Sequence, residues 1–174
     1  MNINLIGMRG VGKSNVARRL SVLTKRPVMS TDVLIEYESG MGLPQFVAAR
    51  GWRAFRDLEF DIIARLAELD GLIVDCGGGA LIDLDSAGDE IYSARKVQLL
   101  RDGGPIVYLA GDIPRLAAKT ASDPTRPVID PALSAEAIMR RREPFYVSAA
   151  DWTIMVERDT RQQAAEAIAA RYPE

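Results

Sequence analysis

The stretch that decides the fold runs Asn2-Ile3-Asn4-Leu5-Ile6-Gly7-Met8-Arg9-Gly10-Val11-Gly12-Lys13-Ser14. Asn2–Ile6 reads as a short buried strand, and Lys13–Thr24 carries the period of a helix. Between them, Gly7–Ser14 matches G-x-x-x-x-G-K-[ST], and a strand before with a helix after is the context that gives this motif its meaning. Each residue type has a physical task. The glycines permit a tight turn and close approach of backbone to phosphate. Backbone N–H groups and the helix N-terminus then face the anion. Lys13 is expected at the β- and γ-phosphates, and the Ser14 hydroxyl on Mg²⁺. Gly10, Val11, Gly12, Lys13, Ser14 and Asn15 are thus the expected ATP-binding residues of this segment. By itself the segment says only that a nucleoside triphosphate binds.

Outward from it, apolar runs bounded by turn signals alternate with helix-period segments. Further strands are expected at Pro27–Met29, Leu72–Asp75, Pro105–Leu109 and Trp152–Val156. Helices are expected at Asp32–Glu38, Pro44–Arg50, Arg53–Leu69, Ser86–Leu100, Ile113–Lys119, Ser134–Tyr146 and Thr160–Tyr172, with a proline-rich loop at Ser122–Pro131. Five strands alternating with helices predict an α/β three-layer sandwich, a parallel sheet covered on both faces. Such sheets bind ligands beyond the carboxyl ends of their strands. The Gly7 loop, Asp32, Asp75 and the segment after Leu109 all fall there. No repeat or linker divides the chain, so residues 1–174 read as one domain.

Composition narrows the chemistry. The 174 residues are 48% hydrophobic, which suits a single core. A formal net charge of −2 without a long basic run argues against nucleic acid or a membrane surface as partner. There is no histidine, so Ser-His-Asp and Cys-His catalysis are excluded, and acid–base work falls to Asp, Glu, Lys or water. The lone Cys76 cannot form an internal disulfide. Ile3–Ile6 is too short for the apolar part of a signal peptide, and no stretch is long enough to span a bilayer. A cytoplasmic protein is expected.

The acceptor side is built from scattered residues. Asp32 follows the second strand at a helix start; it is either the helix N-cap or the carboxylate that orients an acceptor hydroxyl and takes its proton. Asp75 ends a strand where an acid commonly supports Mg²⁺, and a turn acid is the alternative. Gly77-Gly78-Gly79 is costly in backbone entropy, and close approach of a ligand would explain it. Arg56 and Glu59 lie on one helix face and form either a functional pair or a solvated one. Within Arg140-Arg141-Arg142, at least one guanidinium belongs to the surface, and a planar fork suits a substrate carboxylate. Arg126, between Thr125 and Pro127, suits a lid over the transferring phosphate, or is an ordinary exposed loop arginine.

Together these residues resemble the shikimate kinase family of small P-loop kinases. The likeness comprises residues 7–14, Thr31-Asp32 with Ile35-Glu36, Phe55-Arg56 with Glu59, Gly77–Gly79, Arg126-Pro127, and Arg142-x-Pro144-x-Tyr146. The ordered set carries it, above all the glycine triplet with the two later arginine motifs. The resemblance implies strand order 2-3-1-4-5, an acceptor-binding region near 32–60 and a mobile lid near 119–131. It implies ATP-dependent phosphorylation of a ring hydroxyl of shikimate, with Mg²⁺ and without other partners, by a monomer. Asp32 would be the base, with Lys13 and Arg126 stabilising the phosphoryl charge. Arg56 and Arg142 would grip the acceptor's carboxylate, with Gly77, Gly78 and Gly79 lining the pocket. Lys119 would lie beside the adenine.

Four positions depart from the family pattern. Ser30-Thr31-Asp32 stands where Asp-x-Asp is usual, and the first Asp of that pattern supports the metal's water shell. Asp75 is then expected to supply the missing carboxylate. Val47 replaces an aromatic, Trp52 an acid, and Asn15 a threonine. The rival readings are a kinase of another small hydroxy acid such as gluconate, and a nucleotide-binding regulatory module without turnover.

Overall fold

The structure, a computed structural model, describes residues 1–121, 123 and 127–173. Its elements in chain order are β1 (Ile3–Ile6), α1 (Lys13–Thr24), β2 (Val28–Ser30), α2 (Thr31–Ser39), α3 (Leu43–Ala67), β3 (Ile73–Asp75), β4 (Ile82–Leu84), β5 (Glu90–Tyr92), α4 (Ala94–Gly103), β6 (Ile106–Ala110), α5 (Ile113–Thr120), α6 (Ala135–Ala149), β7 (Trp152–Met155) and α7 (Arg161–Arg171). The main sheet has five strands in the order β2-β3-β1-β6-β7, all parallel. Counting only these strands, this is the expected 2-3-1-4-5.

β1 shows how the sequence builds the layers. All four of its residues are buried, as a central parallel strand requires. Side chains alternate along a strand. Asn4 and its neighbour Asn2 face the C-terminal ends of α3 and α4. Asn2 Nδ2 donates to Leu66 O, and Asn4 Nδ2 to Leu100 O, so each buried amide adds a side-chain donor to a carbonyl in the last turn of a helix that also accepts a backbone N–H. α1 and α7 pack together, as do α3 and α4.

The helix expected over Ser134–Tyr146 is present as α6, which runs through Pro144 to Ala149. One expectation needs correction. The segment read as a helix over 86–100 instead holds the turn and second strand of the hairpin β4–β5, and α4 begins only at Ala94. The hairpin signal is local. Asp85 Oδ1 accepts from the N–H of Ala87 and of Asp89, an Asx turn that ends any helix there. Ser93 then caps α4 by accepting from Lys96 N. By contrast, the expected break between Pro44–Arg50 and Arg53–Leu69 is present, because Gly51 inside α3 sits at φ 81°, ψ 167°, outside helical space.

Candidate active site

The phosphate loop joins β1 to α1 and lines a cavity with Gly10, Gly12, Lys13, Ser14 and Asn15. Gly12 has φ 107°, a conformation that side-chain-bearing residues rarely adopt, and a Cβ there would also displace the Arg161 guanidinium. Lys13 Nζ donates to Gly7 O at 2.9 Å and Met8 O at 3.2 Å, which tethers the ammonium over the loop. Lys119 Nζ donates to Gly10 O at 2.9 Å and lines the same cavity. Arg161 also lines it, and its buried Nε has no hydrogen-bond partner among the described residues. Nothing in the sequence singled out Arg161. It reaches the loop only through the packing of α7 on α1.

A second cavity holds Asp32, Trp52, Arg56, Glu59, Gly79 and Arg142. Arg9 and Gly78 line both cavities, so they adjoin. Arg9, inside the phosphate loop, donates to Pro127 O from both terminal nitrogens, at 3.2 and 3.3 Å. Arg126 and its neighbours Ser122, Pro124 and Thr125 lie outside the described residues.

Asp32 is not the cap of α2. Ser30 is: its hydroxyl accepts from Val33 N, which leaves Asp32 in the first turn. The glycine triplet makes room chiefly for the protein's own side chains. A Cβ on Gly77 would collide with the Asp32 carboxylate, and one on Gly79 with the Arg56 guanidinium. Thr31 Oγ1 accepts from Gly77 N at 2.8 Å, which ties α2 to the triplet. Asp75 and Ser30 are register partners across β3 and β2. Asp75 is buried, and its charge raises the pKa of the neighbouring Cys76 thiol, second to burial and against the pull of Lys13. Beside Lys13, the oxygen donors available to a hard cation are the Ser14 hydroxyl, in the phosphate-loop cavity, and the buried Asp75 carboxylate, whose charge and that of Lys13 both reach the Cys76 thiol. Mg²⁺ retains several waters and needs few protein oxygens, so this donor set fits it.

The Arg56–Glu59 pair is buried, not solvated. Arg56 Nη1 donates to Glu59 Oε2 at 3.0 Å and to Gly79 O at 3.1 Å, and the guanidinium lies 5.0 Å from the Trp52 ring centroid. Glu59 also accepts from Lys96 Nζ at 2.8 Å, and Lys96 is wholly buried. Burial alone pushes the Glu59 carboxyl up, but Lys96 and Arg56 together outweigh it and hold it below its ordinary value. Of the three consecutive arginines, Arg140 is exposed beside Glu136, while Arg142 is buried and donates to Gly78 O at 3.2 Å. Glu90 and Lys96, both within the segment read as a helix, were not singled out.

The shikimate kinase family model matches residues 9–172. Shikimate kinase of Leptospira biflexa serovar Patoc is 45% identical over 169 residues, which cover 97% of this chain and 93% of that one. Shikimate kinase of Pseudomonas savastanoi pv. phaseolicola is 34% identical over 163 residues, 92% of this chain and 88% of that one. A solved structure of shikimate kinase from Acinetobacter baumannii in complex with shikimate matches with a TM-score of 0.82 at 27% identity, covering 98% of this chain and 91% of that one. With its phosphate loop, glycine triplet and buried arginines in the expected places, the chain belongs to the shikimate kinase family.

Proposed function

We propose that the protein transfers the γ-phosphoryl group of ATP to a ring hydroxyl of shikimate, giving shikimate 3-phosphate and ADP, a step toward aromatic amino acids. The observation that carries this reading is the junction of the two cavities at Arg9 and Gly78, with the phosphate loop on one side and Asp32, Arg56 and Arg142 on the other. Phosphoryl transfer asks mainly for positioning and charge stabilisation. Arg56 and Arg142 hold the acceptor's carboxylate. Asp32 orients the hydroxyl and accepts its proton as the oxygen bonds to the γ-phosphorus and the bond to the β–γ bridging oxygen breaks. Lys13 leaves its loop carbonyls for the β- and γ-phosphates, and Arg126 covers the transferring group. Lys119 sits beside the adenine. Ser14 and Asp75 would hold Mg²⁺, directly or through its water, and the ion would supply positive charge at the phosphates. The protein works as a cytoplasmic monomer of one domain, with residues 119–131 closing over the site. Among the described residues no helix is long and apolar enough to cross a membrane.

An ADP-release assay with shikimate, quinate and gluconate tests the acceptor. Turnover of shikimate alone is expected. Nucleotide binding without turnover of any acceptor would replace this reading with that of a regulatory module. Asp32→Asn should lower kcat by about 10²–10⁴-fold while ATP affinity is kept, and near-normal turnover would remove Asp32 as the base.

A further inference from the structure

The hairpin β4–β5 brings one carboxylate to both arginines of the acceptor cavity. Glu90 Oε2 accepts from Arg142 Nε at 3.0 Å, and Oε1 accepts from Arg142 Nη2. Arg141 Nη2 donates to Oε2 at 2.8 Å, and Arg56 Nη2 lies 3.9 Å from Oε1. Glu90 is not among the residues lining the acceptor cavity; it lines a separate one, with Arg56 and Arg141. It therefore grips the arginines from behind and leaves their other faces to a ligand.

The donor count shows what this grip does. A guanidinium has five N–H donors. Glu90 takes the Nε–Nη2 edge of Arg142, and Gly78 O takes one N–H of Nη1. One N–H on each terminal nitrogen remains in the hydrogen-bond pattern of the described residues, two donors for a carboxylate. Two buried guanidiniums would also repel across the site, and Glu90 offsets that repulsion. Burial pushes its carboxyl up, but the hydrogen bonds and charge of Arg142, with Arg56, hold it below its ordinary value, so it is ionised at neutral pH. The hairpin itself is pinned. Arg53 of α3 donates to Asp85 O at 2.7 Å, and Ser93 Oγ donates to Asp83 Oδ2 at 2.7 Å.

We propose that Glu90 is a positioning residue for the acceptor's carboxylate, fixing Arg142 and, through its charge, Arg56 in the orientation that receives it. The inference rests on the acceptor reading above. Its test is the kinetics of Glu90→Ala and of the isosteric Glu90→Gln, with added formate. In Glu90→Ala the KM for shikimate should rise by about tenfold, as loss of a hydrogen-bonded buried charge implies, with the KM for ATP and kcat within about twofold. Glu90→Gln should lie between this and wild type. Formate should restore the KM of Glu90→Ala by occupying the vacated place. An unchanged or lowered KM for shikimate overturns the proposal. So does a loss shared equally by both substrates and kcat without formate rescue. Phenylglyoxal modification of Arg142, followed by mass spectrometry, separates this from failure of the acceptor reading. Faster modification in both variants supports the role of Glu90 even if wild type ignores shikimate, and an unchanged rate overturns it.

Discussion

Ser30 and Asp75 face each other across β2 and β3, and two tasks fall to them separately. Ser30 caps α2. The Ser30 hydroxyl accepts from Val33 N at 3.4 Å, and serine is among the preferred residues at a helix start. On the proposed function, the metal-supporting charge is assigned one strand over, to Asp75. Asp75→Asn should raise the Mg²⁺ concentration needed for half-maximal activity sharply. Ser30→Ala should leave that requirement unchanged and lower unfolding stability by about 1 kcal/mol, the worth of a cap. Mg²⁺ titrations beside urea unfolding of both variants check this, and the reverse ranking would return the metal role to position 30. The departures at Val47 and Trp52 also resolve at this scale. Trp52 meets Phe55 edge-on, with ring centroids 5.3 Å apart, and lies against Arg56; Val47 is half-buried against the core.

Among the elements, α3 is the one whose shape the site depends on. Its first part carries Phe46, its second Phe55, Arg56 and Glu59, and the two parts meet at Gly51. A Cβ on Gly51 would touch nothing within 4 Å, so the obstacle to substitution is conformational alone. The φ/ψ pair lies in a region open essentially to glycine. Gly51→Ala should therefore cost about 1–3 kcal/mol by urea unfolding. A straightened α3 would move Arg56 away from Gly79, so the KM for shikimate should rise as well. Equal stability with an unchanged KM would show that the bend carries no strain.

For the whole molecule, the buried charges matter through acid. Asp83, Glu59 and Glu90 share partners in Lys96, Arg95, Arg56 and Arg142, and together they join α3, α4, α6 and the hairpin. Hydrogen bonds from Arg95 and Ser93 overcome burial and hold Asp83 down to about 2. A carboxylate whose folded pKa is depressed adds stability that is present above its unfolded value and lost as pH falls through the folded one. With ordinary values of 4.5 for Glu and 3.8 for Asp, that loss should begin near pH 4.5 and continue toward 2. With no histidine in the chain, side chains of ordinary pKa contribute no titration between pH 5 and 7. Thermal unfolding across pH 2–7 should show a flat upper range and a steep acid limb. A limb beginning near pH 6 would contradict this account. Lys96→Ala should flatten the limb while lowering Tm at neutral pH, because it leaves Glu59 buried without its main partner.

The phosphate loop, the alternation that makes a five-stranded parallel sheet and the break near Gly51 are legible along the chain, because each is written in neighbouring residues or in a periodic pattern. The strand order and the family follow from the ordered set of motifs spread from Gly7 to Tyr146. The hairpin was legible too, in the Asp85–Asp89 turn, but the apolar residues around it also fit a helical period. Packing in three dimensions is what makes Ser30 and not Asp32 the cap of α2, gives Asp32 and Arg56 the room left by Gly77 and Gly79, and sets Glu90, Lys96, Arg9 and Arg161 around the site. A buried charge has meaning only through the partner that offsets its desolvation, and here most partners lie more than 30 residues away. Spacing along a chain cannot encode such a pairing; the packing of α3, α6 and the hairpin onto one sheet edge does.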